Sequence, residues 1–109
     1  MRILLDFEGT LCSDLSRPPP DAAVAVVTRL KADGHKVTIL SSRAAGAMPD
    51  GWRARQAVRQ IAAYLDRHKI PYDEILTFKP RCDVVIDSRA LPFDGSWAKL
   101  AKRLRQSGV

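Results

Sequence analysis

The chain has 109 residues, 46% of them hydrophobic, which is enough for one domain with a buried core. A formal charge of +6, from 18 Lys and Arg against 12 Asp and Glu, favours anionic partners such as phosphate esters, nucleotides or nucleic acid without choosing among them. Two distant cysteines form no disulfide framework, and the apolar run at residues 3–5 is too short for a signal peptide or a membrane span, so we expect a reduced, cytoplasmic protein with no membrane partner.

The first third of the chain predicts a strand, a loop and a helix. Residues 2–7 are apolar and rich in β-formers, which is typical of a strand buried on both faces, and Gly9 ends it in a turn. Residues 13–20 are polar and end in three prolines, so they predict a loop. Asp21 is the expected N-cap of a helix over residues 22–32.

The rest of the chain continues the alternation of strands and helices. The pattern predicts, in order, a strand over 36–40, a loop over 44–51, an amphipathic helix over 52–68, short strands over 75–77 and 83–86, and a helix through residue 104 capped by Ser96. The order β-α-β-α-β-β-α predicts a single three-layer α/β/α domain over residues 1–109, with a mainly parallel, Rossmann-like sheet.

Polar side chains stand at the ends of the predicted strands, at Asp6, Ser41, Lys79 and Asp87. Ligands of parallel sheets bind outside the carboxyl ends of the strands, so these four groups are expected to converge. Two carboxylates can bind Mg²⁺ together with water and phosphate oxygens, while a lysine and a hydroxyl can hold a phosphate. Each residue alone has a plainer interpretation as a turn or cap residue, but the four together favour a phosphoryl site centred on Asp6.

Four segments in order carry a resemblance to a known family: Asp-Phe-Glu-Gly-Thr-Leu at residues 6–11, Leu-Ser-Ser-Arg at 40–43, Lys-Pro at 79–80 and Val-Ile-Asp-Ser-Arg at 85–89. They resemble the motifs of the haloacid dehalogenase-like (HAD) superfamily of phosphohydrolases. The first motif is the most specific, and the match covers nearly the whole chain. The spacing leaves no room for an inserted cap domain, so the chain resembles small capless members, including the phosphatase domains of polynucleotide kinases.

The resemblance implies a role for each matching residue. Asp6 would be the nucleophile that forms an aspartyl-phosphate, and its carboxylate would also bind Mg²⁺. The backbone carbonyl of Glu8 and the side chain of Asp87 would complete the protein ligands of Mg²⁺. Ser41 and Lys79 would hold the transferring phosphoryl group, which suits a reaction dominated by positioning and charge stabilisation.

Four further positions qualify this assignment. Ser42 and Arg43 are candidate substrate contacts, although Arg43 is equally well explained as a surface or capping residue. Glu8 stands where the family usually has the aspartate that protonates the leaving oxygen and later activates water; its acidity is similar, about 4.3 against about 3.9, but its reach is longer. Ser88 replaces an aspartate that often follows Asp87 in the family, which should weaken Mg²⁺ binding or free Asp87 to reposition.

These motifs predict a Mg²⁺-dependent phosphatase acting on a phosphorylated small molecule or a phosphate-terminated nucleic acid. An open site would also be consistent with a homo-oligomer. The alternative is a catalytically impaired phosphate- or nucleotide-binding or interaction module, because Glu8 and Ser88 depart from the pattern. A phospho-acceptor receiver domain fits poorly, since receivers carry the acceptor on a middle strand and Asp6 is on the first.

Other prominent residues have structural interpretations. Cys12 is expected to be a small buried hydrophobe. His35 and His68 stand at predicted helix ends, where a cation meets the helix dipole favourably. In the last helix a stripe at helical spacing is expected to face the core: Trp97, Leu100, Ala101 and Leu104.

Overall fold

The computed structural model describes residues 1–44, 48 and 50–108, except for the side chains of Leu100 and Leu104. Its elements are β1 (Arg2–Asp6), α1 (Ala23–Ala32), β2 (Lys36–Leu40), α2 (Trp52–Arg67), β3 (Glu74–Leu76), β4 (Val84–Ile86) and α3 (Trp97–Gln106). The predicted strands and helices are all present, with ends shifted by no more than two residues. The predicted loop over 44–51 lies largely outside the described residues.

The four strands form one parallel sheet in the order β3-β2-β1-β4. The register places Ile3 beside both Val37 and Val84, and it aligns the carboxyl ends of all three strands. The prediction of a Rossmann-like α/β/α fold with a parallel sheet is confirmed. Because β1 is paired on both sides, Asp6 at its end is flanked by the ends of β2 and β4.

The main core lies between the sheet and the first two helices. Leu5 and Ile39 point to the same face and pack with Val27 of α1 and with Ile61 and Leu65 of α2. Each such side chain contributes roughly 1.5–3 kcal/mol when fully buried. Among the described residues, no helix is long and apolar enough to cross a membrane.

Tyr64 of α2 connects this helix to the loop before α1. The Tyr64 ring meets the buried Phe7 ring edge-on, with centroids 5.5 Å apart, and its hydroxyl donates a 3.0 Å hydrogen bond to the carbonyl oxygen of Arg17. Burial raises the pKa of Tyr64 to about 12, so it remains a neutral donor. Cys12 is buried in the same core, as predicted.

The predicted cap of α1 is wrong. The N-cap position is Ala22, in a left-handed conformation with φ 67°, and no side chain caps the helix there. The amide of Ala23 donates to the carbonyl oxygen of Pro20 at 3.1 Å, so a turn after the prolines carries the chain past Asp21 before the helix begins.

The last helix is capped as predicted but does not bury its tryptophan. The Lys99 amide donates to Ser96 Oγ at 3.3 Å. Trp97 is 73% exposed and packs against Phe93, 5.0 Å away between ring centroids, so its prediction as a core residue is wrong. Helical spacing shows which residues share a face but not what that face meets. The Leu100 and Leu104 side chains of the same stripe lie outside the described residues.

Two helices end in the same hydrogen-bond pattern with different residues at the left-handed position. After α1, Gly34 has φ 87°, and the His35 amide donates to the Leu30 carbonyl oxygen at 3.1 Å. After α2, Lys69 has φ 58°, and the Ile70 amide donates to the Leu65 carbonyl oxygen at 2.9 Å. Both are Schellman motifs, but a side chain at the left-handed residue strains the second one.

These two positions should respond to substitution in opposite directions. We expect Gly34→Ala to lower, and Lys69→Gly to raise, the free energy of unfolding, each by about 1 kcal/mol. A Cβ at Gly34 would meet no atom within 4 Å, so the loss would come from the backbone alone. Urea unfolding followed by circular dichroism measures both changes. Destabilisation by Lys69→Gly would contradict the assignment of strain to that residue.

Asp73 ties the end of α1 to the sheet. Its carboxylate accepts hydrogen bonds from Lys31 Nζ at 2.6 and 2.7 Å and from the Val37 amide at 2.6 Å. The Lys31 ammonium and the Val37 amide hold the pKa of Asp73 below its usual value of 3.8.

This interaction predicts an acid-dependent loss of stability. Because the folded pKa of Asp73 is lowered, its contribution is complete above the unfolded pKa and disappears as pH falls through the folded pKa. We expect Asp73→Asn to cost about 1 kcal/mol at pH 7, since the pair is partly exposed, and much less at the lowest pH where the fold persists. Unfolding free energies of wild type and variant at several pH values below 5 give the comparison. An equal cost at every pH would refute the prediction.

Candidate functional site

A tight turn follows β1 and brings the first motif back toward β4. The amides of Leu11 and Cys12 both donate to the carbonyl oxygen of Phe7 at 3.0 Å. Gly9 has φ 81°, and a Cβ there would lie 3.5 Å from Ser88 Oγ. A residue without a side chain therefore suits both the backbone conformation and the contact with the loop after β4.

Asp6 lies half-buried at the centre of the strand ends. Thr10 Oγ1 lies 3.4 Å from Asp6 Oδ2 as a donor, and it accepts a 3.2 Å hydrogen bond from the Ser88 amide. Burial, followed by the negative charges of Asp87 and Glu8, raises the pKa of Asp6 above its usual value. The carboxylates are thus close enough to repel one another, and a cation between them would be stabilised.

Two neighbouring clefts, each of about 240 Å³, meet at Asp6 and Ser42. The Lys79 cleft, as we name the first, is lined by Asp6, Leu40, Ser41, Ser42, Thr77, Phe78 and Lys79. The acidic cleft, the second, is lined by Asp6, Glu8, Ser42, Asp87 and Arg89. The fold therefore brings the residues singled out from the four motifs to one edge of the sheet.

Glu8 is bound by the residues that follow β2. Its carboxylate accepts hydrogen bonds from the Ser41 hydroxyl and from the Ser42 amide, the latter at 3.1 Å. Arg43 Nε lies 3.5 Å from Glu8 Oε1, and the two side chains are only 29% and 31% exposed. Ser41 itself is buried, with its amide bonded to the Leu76 carbonyl oxygen at 3.0 Å. A hydroxyl, an amide and a guanidinium converging on one carboxylate form an anion-binding cradle.

Asp87 has a local role as well as a place in the acidic cleft. Its Oδ1 accepts a 2.8 Å hydrogen bond from the Arg89 amide, which is an Asx turn. Across the described ranges, no three His, Cys, Asp or Glu side chains are grouped closely enough to bind a metal. The predicted Mg²⁺ ligands are two carboxylates and a backbone carbonyl, a set that needs no group of three side chains. The magnesium site therefore stays a prediction.

Sequence reasoning gave no role to two residues that the structure places at the site. Thr10 links Asp6 to the loop after β4, and Arg89 lines the acidic cleft and lowers the pKa of Asp6 slightly against the larger opposing effects. The sequence could have identified Thr10 as a site residue, because it follows Gly9 in the turn that returns the chain to the end of β1. Arg89 ends the fourth motif, two residues after Asp87, but the resemblance assigns it no role.

Comparisons with known proteins bear on the fold alone. No family model matches the chain, and no curated protein matches it. A solved crystal structure of an MCSG target from Vibrio cholerae is similar in three dimensions, with a TM-score of 0.52 and 21% sequence identity over 97% of this chain and 98% of the other. This likeness spans essentially the full length of both chains and supports the α/β fold.

The Glu8 cradle predicts a gain in anion binding when Glu8 is removed. Glu8→Ala leaves the Ser41 hydroxyl, the Ser42 amide and Arg43 without their internal carboxylate. We expect the affinity for inorganic phosphate to rise about tenfold, which corresponds to about 1.4 kcal/mol. Isothermal titration calorimetry measures it, with Asp66→Ala as a control that changes net charge equally on an exposed part of α2. An equal gain in both variants would mean that overall charge, not the cradle, controls binding.

Proposed function

We propose that the protein is a Mg²⁺-dependent phosphomonoesterase of the HAD type that acts through an aspartyl-phosphate at Asp6. The observation that carries this proposal is the place of Asp6 at the junction of two clefts. One cleft offers the hydroxyl of Ser41 and the ammonium of Lys79 for phosphoryl oxygens. The other offers the carboxylate of Asp87 for a cation, so a nucleophile, anion-binding groups and a cation ligand surround one point.

In this proposal the chain's own groups divide the work of phosphoryl transfer. A carboxylate oxygen of Asp6 attacks phosphorus while the bond from phosphorus to the ester oxygen breaks, which gives aspartyl-phosphate and an alcohol. Ser41 and Lys79 orient the phosphoryl oxygens and offset their charge. The 3.4 Å contact from Thr10 Oγ1 orients Asp6 and leaves its other oxygen available for attack.

The residues present fit a magnesium ion in the acidic cleft. Mg²⁺ prefers oxygen ligands, is commonly bound by one or two carboxylates, and completes its shell with water and phosphate oxygens. Asp6 and Asp87 are two carboxylates close enough for the charge of one to raise the pKa of the other. With the backbone carbonyl of Glu8 they would hold the ion. When bound, Mg²⁺ would neutralise phosphoryl charge and bring the phosphoryl group close to Asp6.

Glu8 would act as the acid and base, after leaving its cradle. An incoming phosphoryl group competes for the Ser41 hydroxyl and the Ser42 amide, the two groups that now donate to Glu8. Once displaced, the Glu8 carboxylate would take up a proton from solvent and give it to the departing ester oxygen. It would then take a proton from the water that attacks the aspartyl-phosphate, which releases inorganic phosphate and restores Asp6.

Hydrolysis of a generic aryl phosphate tests the proposal. With Mg²⁺ present, we expect turnover by the wild type and at least a thousandfold loss in Asp6→Asn, because an amide cannot replace the nucleophile. Asp21→Asn is the matched control, since this aspartate is exposed and stands outside both clefts. Chelation of the metal should abolish the same activity. Turnover that survives Asp6→Asn would reject Asp6 as the nucleophile.

A second candidate is a phosphate- or nucleotide-binding module with impaired catalysis. The observation that favours it is the engagement of Glu8 by Ser41, Ser42 and Arg43, which holds the acid–base group in the anion cradle. A misplacement of about 1 Å can cost about 100-fold in rate. Phosphate binding without turnover in the wild type, together with turnover in Glu8→Asp, would select this candidate.

A further inference from the structure

A third cleft, of about 400 Å³, opens beside the second motif along α2. It is lined by Arg43, Trp52, Arg53, Gln56, Ala57 and Gln60, and we name it the Trp52 cleft. The five α2 residues follow a helical spacing that keeps them on one side of the helix. The volume falls within the range of about 300–1,000 Å³ typical of small-ligand sites.

Arg43 connects the Trp52 cleft to the candidate site. The side chain lines the Trp52 cleft, and its Nε lies 3.5 Å from Glu8 Oε1, which belongs to the acidic cleft. A ligand with its phosphate at Asp6 could therefore extend past Arg43 into the Trp52 cleft. Ala57 is the one small residue in the described lining, and it is buried in a cluster with Ala44 and Ala54.

The indole of Trp52 is 67% exposed. The other tryptophan, Trp97, has similar exposure but packs against Phe93. Within the described part of the chain, no aromatic ring packs against Trp52. An exposed indole in the lining of a cleft provides a flat surface on which another planar ring can stack.

The remaining lining restricts the chemistry of a ligand. Arg43 and Arg53 supply positive charge, while the amides of Gln56 and Gln60 can both donate and accept hydrogen bonds. No carboxylate is among the lining residues that the structure describes. A lipid chain would leave these polar groups unpaired, and a sugar phosphate has no planar aromatic ring to stack on the indole. An anionic ligand with a planar, hydrogen-bonding ring system meets every feature, and a nucleotide is such a ligand.

We propose that the Trp52 cleft binds the nucleoside part of a nucleotide phosphate ester, with the base stacked on Trp52 and its polar edge at Gln56 and Gln60. This inference rests on the proposed function, because it assigns the leaving group of the ester cleaved at Asp6. Free mononucleotides and phosphorylated nucleic-acid ends share this chemistry. Arg43 would lie between the phosphate and the base and contact the sugar-phosphate link.

Binding without turnover tests the cleft independently of catalysis. In Asp6→Asn combined with Trp97→Phe, Trp52 is the sole remaining tryptophan, so its fluorescence reports on this cleft. We expect adenosine 5′-monophosphate to quench the fluorescence and to bind at least about tenfold more tightly than ribose 5-phosphate, which lacks the base. A 5′-phosphorylated tetranucleotide is the second arm, and tighter binding of it than of the mononucleotide would identify nucleic-acid ends as the source.

Turnover by otherwise wild-type protein supplies the second measurement. Trp52→Ala should raise KM for adenosine 5′-monophosphate about tenfold, Trp52→Phe should restore much of the loss, and Trp97→Ala should change nothing. Turnover of ribose 5-phosphate should be the same in the wild type and in all three variants. Equal affinity for the ligands with and without the base, or no effect of Trp52→Ala, would overturn the cleft assignment even if aryl phosphates are hydrolysed. Trp52-dependent binding without hydrolysis of any ester would instead reject the phosphatase and keep the cleft.

Discussion

The pairing of β1 with a parallel strand on each side is the constraint on which the candidate site depends. β1 exchanges hydrogen bonds with both β2 and β4, and its side chains are buried on both faces, so its carboxyl end has a fixed position. The turn at Gly9 then folds back toward the end of β4, while the Phe7 amide donates to the Leu40 carbonyl oxygen at 2.9 Å. Asp6 is consequently held between two loops that come from distant parts of the chain.

Charge is unevenly distributed around this point. Negative charge from Asp6, Asp87 and Glu8 collects in the acidic cleft, whereas Arg43 and Arg53 line the Trp52 cleft. In the proposed function both environments would be used, because the phosphoryl oxygens of an ester would meet the cation while its remaining anionic surface would meet the arginines. Glu8 belongs to both environments, since it lines the acidic cleft and pairs with Arg43.

Glu8 connects the turn after β1 to the residues that follow β2. A glutamate has the reach to place its carboxylate against the Ser41 hydroxyl and the Ser42 amide, as it does in this structure. The interaction satisfies the buried Ser41 hydroxyl and the Ser42 amide. In the proposed function, an incoming phosphoryl group would replace Glu8 at these donors. Substrate binding and release of the acid–base group would then be coupled through the same donors, a link that the sequence pattern did not suggest.

The sequence alone determined the order and type of the elements and the residues at the strand ends, because apolar runs, Gly9, Gly34 and Ser96 act through local chemistry. It could not determine what distant groups contact. Trp97 was expected in the core and is exposed, Asp21 was expected to cap α1 and does not, and the contact of Glu8 with Ser41 spans 33 positions. Helical spacing and propensity describe neighbours within a few residues, whereas the partner of a side chain across the sheet depends on how the strands pair. The lining of the clefts was therefore decided by the tertiary structure, because it combines residues from separate strands, helices and loops.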